Sequence, residues 1–353
     1  MFAKLGPRGQ WSALLLLSLA VIFALRALDL PASLLLGPMA SGIVLAINGA
    51  SIRVPRRAYT LAQSVIGAMI AGAVTPDILK TFLSNWALFL GIVLTTVAAS
   101  GVVGWAMSRW KILPGSAGIW GSSPGAASAM VVMAEEFGTD VRLVAFMQYL
   151  RVLCVALSAA LIARFWGGGD APHPSGAGWF DLPQMVPFAE TLALIAAATL
   201  INRFVHVPSG ALLVPLCIGA VLRGLGLIDL ELPPLLLMVA FATIGWVVGL
   251  RFTADILRTV RAKLPHMLAS ILLLMAFCAG IGWMLTRFLG IDMLTAYLAT
   301  SPGGADSIAI IAASTHVDLG FVLAFQTVRL IVVIVVAPIM ARRLARAMGH
   351  KPG

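Results

Sequence analysis

Two arginines, Arg151 and Arg329, stand near the middle of long apolar stretches, far from where either stretch would meet water. A charge at the centre of a membrane-length helix costs at least ~2.5–3.5 kcal/mol on insertion scales, so each should face a protein interior and have a partner there. Gln148 and Gln326 precede them by three residues, which sets each glutamine on its arginine's face of a helix. Upstream of each pair a Ser-Pro-Gly triplet, Ser123-Pro124-Gly125 and Ser301-Pro302-Gly303, interrupts another apolar stretch. Proline removes a backbone donor and glycine weakens a helix, so the helix is expected to break at both. New helices are predicted from Ala126 to Glu135 and from Ala305 to Ala313. Their first turns would offer unpaired N–H groups and a partial positive charge, which suit an anion.

The candidate site for a small anionic ligand is therefore Arg151, Arg329, Gln148, Gln326, Ser123, Gly125, Ser128, Ser301, Gly303, Gly304, Asp306 and Ser307. The same residues admit a structural role: breaks that let helices pack closely, serines bonded to backbone, and arginines neutralised within the protein. Asp306 takes the place that Ser128 has beside the first break, and is the one acidic residue at that depth. Two roles are open to it, partner of Arg329 or carboxylate that takes up a proton or Na⁺. Glu135, Glu136, Asp140 and Asp318 fall at segment ends, where they would meet water. The histidines His173, His206, His266, His316 and His350 are scattered without the spacing of a metal site, so no metal or other cofactor is expected. A phosphate-binding Gly-Lys-Ser/Thr loop, a nucleophile elbow and a Cys-His combination are all missing from the sequence, and no enzyme chemistry is expected.

The elements that must position these residues are membrane helices. Hydrophobic residues are 60% and charged residues 11% of the 353, with mean hydropathy +1.01, too few charges to cover a water-facing surface. Apolar stretches such as Trp11–Leu25, Trp86–Met107, Val141–Ile162, Met267–Leu285 and Phe321–Met340 recur from end to end, and helices of that length cross about 30 Å of hydrocarbon. The first stretch reads as a retained span, since Arg26, Asp29 and Pro31 lead from it straight into another apolar helix with no small-x-small cleavage site. The net charge of +10 is carried in short loops beside spans, as the positive-inside rule requires, and nucleic acid is not an expected partner. Cys154, Cys217 and Cys278 lie inside apolar stretches and read as small core residues.

The sequence repeats itself at an offset of 178: Ser123-Pro124-Gly125 on Ser301-Pro302-Gly303, Gly104-Trp105 on Gly282-Trp283, Gln148 and Arg151 on Gln326 and Arg329. Pro38 pairs with Pro215 at 177, one residue having been gained or lost in a loop. The chain therefore divides into a first membrane repeat at 1–165, a Gly/Pro-rich linker at 166–185 and a second repeat at 186–353. Each repeat has six hydrophobic segments, the fifth containing the Ser-Pro-Gly break, as either a broken span or a hairpin that enters and leaves on one side. Hairpins move the cluster Arg251, Arg258, Arg261 and Lys263 to the cytoplasmic side, so charge favours them. Five crossings per repeat then make the repeats inverted, a common plan among secondary transporters. The expected fold is an all-α polytopic membrane protein of two inverted repeats, each about five spans plus one broken or re-entrant Ser-Pro-Gly segment, with both termini cytoplasmic.

Gly-Ser-Ser-Pro-Gly at 121–125, Ser-Pro-Gly-Gly at 301–304 and Gln-x-x-Arg at 148–151 and 326–329, set in a duplicated unit, resemble the membrane-embedded AbrB family over nearly the whole chain. That family is distinct from the small DNA-binding fold of the same name. The resemblance implies a bacterial inner-membrane protein, distantly similar to cation/proton antiporter and anion transporter folds. Members are often labelled ammonia monooxygenase or its regulator, and one branch is linked to regulation of gene expression. A copper oxidase needs clustered histidines that this sequence lacks. Two functions follow as expectations: secondary transport of a small organic anion by alternating access, or a membrane-bound regulator acting through a partner. The lipid bilayer and a small anion are the expected partners, and a homodimer is left open.

Overall fold

The computed structural model describes residues 5–74, 80, 84–114, 116–123, 130, 134, 135, 137–166, 184–204 and 210–347. All regular structure among them is helical. In chain order the helices are α1 Pro7–Ala27, α2 Ser33–Ile47, α3 Arg56–Ala73, α4 Trp86–Arg109, α5 Ala117–Ser122, α6 Val141–Trp166 and α7 Met185–Phe204. They continue as α8 Gly210–Gly224, α9 Pro234–Gly249, α10 Ala254–Val260, α11 Leu264–Leu289, α12 Met293–Thr300, α13 Ala305–Ala313 and α14 Leu319–Ala347. Within α1, α4, α6, α7 and α11 lie five segments long and apolar enough to cross a membrane, while α2 and α8, at 15 residues each, are shorter apolar helices. Large apolar side chains stand exposed along them, among them Leu16, Phe23, Phe204 and Phe288, as a lipid-facing surface requires.

The duplication reappears in helix boundaries. Helices α2 and α8 have equal length and carry Pro38 and Pro215 at the same internal position. The pairs α3 and α9, α4 and α11, and α6 and α14 begin at residues separated by 178. The linker region 167–183 lies outside the described residues.

The compact units of the fold do not coincide with the sequence repeats. Unit 1 comprises Met1–Thr81, Ala160–Thr253 and Asp306–Ala324; unit 2 comprises Phe82–Ala159, Ala254–Ala305 and Phe325–Gly353. Each unit draws on both repeats. In unit 1 the repeats exchange partners reciprocally. A side chain added at Gly67 of α3 would meet Leu212 O and Pro215 of α8, and one added at Gly245 of α9 would meet the equivalent Leu35 O and Pro38 of α2. Both glycines let a helix come within backbone contact of a proline-bearing neighbour, as small residues do between membrane helices.

Contact order fixes the direction of these helices. Along α3 and α8, Ser64 donates to Ala211 O, Gly67 lies against Leu212, and Ala71 against Gly219, so the two run parallel. Along α2 and α9, Gly245 meets Leu35 and Gly249 meets Met39 and Gly42, again parallel. In contrast α1 runs against α2, with Ile22 beside Gly37 and Leu14 in a cluster with Leu45 and Ala46. That cluster continues into Ala50, Ile52 and Leu250. Gln10 Oε1 of α1 accepts from the backbone N–H groups of Ser51 and Ile52 there. The start of α1, the end of α2, the start of α3 and the end of α9 therefore share one end of the unit. At the other end, Glu190 and Thr191 near the start of α7 accept from the N–H groups of Asp229 and Glu231 before α9.

Candidate functional site

The breaks and the arginines meet in unit 2. Helix α5 packs against α4 through small groups: Ser122 donates to Ser100 O at 3.0 Å, and Gly104 lies so close to Ile119 and Ser122 that no side chain fits. The second repeat copies this, with Thr300 of α12 donating to Cys278 O of α11 at 3.0 Å beside Gly282. Helix α5 ends at Ser122 and α12 at Thr300, each at the threshold of its Ser-Pro-Gly break. A helix ending inside a membrane leaves carbonyl oxygens unpaired and a partial negative charge where no water can satisfy them.

Gln148 and Arg151 of α6 take up those carbonyls at the first break. Gln148 Nε2 donates to Trp120 O at 2.9 Å and Ser123 O at 3.0 Å. Arg151 Nη1 donates to Ser122 O at 3.1 Å and Ser123 O at 3.0 Å, while its Nη2 donates to Gln148 Oε1. Gln326 and Arg329 of α14 do the same at the second break. Gln326 Nε2 donates to Leu298 O at 2.7 Å and Ala299 O at 3.1 Å, and Arg329 to Ser301 O and Gly303 O. All four side chains are buried, the arginines at 3% exposure. The planar guanidinium suits this task because its fork reaches two acceptors at once.

The serine hydroxyls turn back on their own helices. Ser123 donates to Ile119 O at 2.9 Å and Ser301 to Leu298 O at 3.1 Å. Gly304 sits just ahead of α13, which begins at Ala305. Gly125 and Ser128 lie outside the described residues. Asp306 and Ser307 belong to unit 1, in the first turn of α13. The Asp306 carboxylate accepts from Ser307 N at 2.8 Å and has the Gln63 side chain of α3 within hydrogen-bonding reach. The partners of the Arg329 guanidinium within unit 2 are the carbonyl oxygens of Ser301 and Gly303.

Charge is not balanced at this centre. Arg151, Arg329 and the Cys278 thiol lie within electrostatic reach of one another. The acids described in unit 2, Glu135, Asp140, Asp255 and Asp292, are exposed. Two full positive charges thus face two helix C-termini, each equivalent to roughly half a negative charge, which leaves about one positive charge over. Hydrogen bonding is also incomplete, because Arg151 Nε and Gln326 Oε1 are buried without partners. A buried unpaired donor costs about 1–3 kcal/mol, more when charged. The arrangement can accept a small anion with an acceptor for Arg151 Nε and a donor for Gln326 Oε1. Among the described residues no group of three or more His, Cys, Asp or Glu could hold a metal ion.

On either side of the first break the chain meets itself again. Ser116 Oγ and Thr139 Oγ1 are 2.7 Å apart, and the Trp120 and Phe137 rings lie 5.3 Å apart. Sequence reasoning gave these residues no role; Trp120 anchors to Ser116 through Nε1 at 3.0 Å.

Comparison with known proteins places relatives beside this geometry. The profile of the family described as Transition state regulatory protein AbrB matches residues 34–345. A protein of Escherichia coli (strain K12), provisionally named regulator AbrB, is 46% identical over 337 residues, 95% of this chain and 97% of that protein. Uncharacterized protein YhjN of Bacillus subtilis (strain 168) is 25% identical over 358 residues, covering 94% of this chain and 87% of its own.

Proposed function

The chain belongs to the AbrB family, and from that premise we propose that it is a secondary transporter of a small organic anion, working by alternating access, rather than an enzyme. The observation that carries the reading is the buried pair Arg151 and Arg329, whose partners among the described residues are carbonyl oxygens, with Nε of Arg151 left unpaired. A monovalent carboxylate between the two arms would neutralise the remaining charge and supply the missing acceptor.

The helix directions in unit 1 support an inverted repeat, which fits the same reading. Helices α2 and α3 leave and enter one end of unit 1 in opposite directions. Because α8 runs parallel to α3 and α9 parallel to α2, each helix opposes its own repeat mate. Hairpins at the breaks are supported by the Ser116–Thr139 bond. They are also supported by α14 running parallel to α12: Gln326 bonds Leu298 O, and Arg329 bonds Ser301 O and Gly303 O further along both. Two hairpins of opposite sense would bring both arginine centres to the midplane, where such carriers bind substrate. The end of unit 1 that holds the start of α1 carries Arg8, Arg53, Arg56, Arg57 and Arg251, all exposed. Partial burial and the neighbouring Arg251 hold Arg53 below the usual arginine range, as crowded like charges do. The other end mixes Arg26 and Arg223 with Asp29, Glu190, Asp229 and Glu231. By the positive-inside rule the first end is cytoplasmic, in a bacterial inner membrane, and the N-terminus lies there.

A second reading, a membrane-bound regulator of gene expression, is favoured by the names of the family and of the Escherichia coli relative. Counterflow of labelled small carboxylates in proteoliposomes separates the two. Exchange by the wild type, lost in Arg151→Ala and in Arg329→Ala, supports transport. Saturable ligand binding without exchange across the panel supports the regulator.

A further inference from the structure

The two repeats differ in one polar group that the fold does not need. In unit 1 Gln63 Nε2 of α3 donates to Tyr59 Oη at 2.8 Å, one turn earlier, and the same side chain lies within reach of the Asp306 carboxylate. Ser307 Oγ is buried beside Asp306, within reach of its carboxylate. At the offset of 178 the equivalents of Tyr59 and Gln63 are Leu237 and Phe241 of α9, and the equivalent of Asp306 is Ser128. Tyr59 and Gln63 of the first repeat are thus matched by apolar residues in the second, and the Asp306 carboxylate of the second by a serine hydroxyl in the first. A packing requirement common to both repeats would appear in both. This one does not, so the trio answers to something other than the architecture.

Its chemistry is that of a proton acceptor. The carboxylate receives the Ser307 backbone N–H and faces the Gln63 amide. These N–H groups occupy lone pairs that a metal cation would need, and with no cationic side chain paired to it among the described residues the half-buried carboxylate is costly to keep ionised. Asp306 and Gln63 are both half-buried, so a proton can reach the group. Of the titratable groups on α3, Tyr59 joins the trio through Gln63, and Arg56 and Arg57 stand at the exposed start of the helix. The other groups of α13 and its neighbours Ser307 to Ala313 carry no charge.

We propose that Asp306 is the proton-binding group of the transport cycle, positioned by Gln63, so that a proton gradient drives anion uptake; the proposal rests on the transporter reading above. In the step itself Asp306 gains one proton from water on the entry side and releases it on the exit side, with no other bond made or broken.

Two measurements test this on the purified full-length protein and its proteoliposomes. Infrared difference spectroscopy across a pH titration should show a carboxylic-acid C=O band that disappears as pH rises. The band should be absent in Asp306→Asn and displaced in its midpoint in Gln63→Leu. For any carboxylate that gives counterflow, an acid-outside gradient should accelerate wild-type uptake. Asp306→Asn should lose that acceleration, and Asp306→Glu should keep it. A wild type with no band that depends on Asp306, or a band moved by Na⁺ at constant pH, overturns proton binding. Gradient-driven uptake retained in Asp306→Asn also overturns the proposal. Absence of counterflow in a wild type that keeps the band fails the transporter reading and, with it, coupling, while leaving Asp306 a proton-binding group.

Discussion

At the scale of single residues, the arginines do two things at once. Each closes the end of a broken helix, and together they carry a positive charge that the described acids of unit 2, all exposed, do not meet. These roles separate under substitution. Arg151→Lys keeps the charge, but an ammonium cannot hold Gln148 Oε1, Ser122 O and Ser123 O together as the fork does. Losing one or two of those bonds should lower stability by roughly 1–3 kcal/mol, since the carbonyls stay buried and unpaired. Gln326→Leu should cost a similar amount through Leu298 O and Ala299 O, while removing a buried oxygen that has no donor. Thermal unfolding in detergent, with and without a small carboxylate that stabilises the wild type, checks both. The lysine variant should keep part of the ligand's stabilisation. If Arg151→Lys were as stable as wild type, the carbonyl contacts would not be what holds the break.

At the scale of elements, the central point is direction. Parallel pairing of α3 with α8 and of α2 with α9 sets each helix against its repeat mate, and the inverted arrangement proposed above would put equivalent loops on opposite sides of the membrane. Ser51 and Asp229 are equivalent at the offset of 178, both exposed, in the loops after α2 and after α8. With Cys154, Cys217 and Cys278 replaced, Ser51→Cys and Asp229→Cys give a direct comparison with an impermeant thiol reagent. Asp229→Cys should react in intact spheroplasts and Ser51→Cys only after lysis; equal reactivity from one side would end the inverted arrangement. Much at this scale was legible in sequence. The restart of helix at Ala305–Ala313 follows from proline and glycine chemistry alone, and the duplication from rare residues at one spacing. The exchange of partners between repeats was not legible, because Gly67 and Gly245 reveal what they touch only in three dimensions. Nor were the arginines' partners, since the carbonyls freed by a break belong to the backbone and leave no mark on the pattern of side chains.

At the scale of the whole molecule, charge and hydropathy set the class and the site sets the function. A chain with 11% charged residues spends two arginines in its buried interior and puts exposed arginines at the end of unit 1 that holds the start of α1. Asp306 could be singled out from sequence as the odd carboxylate, yet its link to Gln63 and Tyr59 joins segments more than two hundred positions apart. The same holds for the excess charge, which is visible only once Asp140, Asp255 and Asp292 are seen at exposed helix ends. The central claim is that this excess binds a small anion. Its most direct test is thermal unfolding of the purified protein against a panel of small carboxylates at constant ionic strength. A ligand that binds only the folded state stabilises it by about 2.7 kcal/mol at a hundredfold excess over Kd. At least one carboxylate should raise Tm saturably in the wild type and leave Tm unmoved in Arg151→Ala and in Arg329→Ala. A flat response across the panel, or a shift of the same size in both variants, would contradict it.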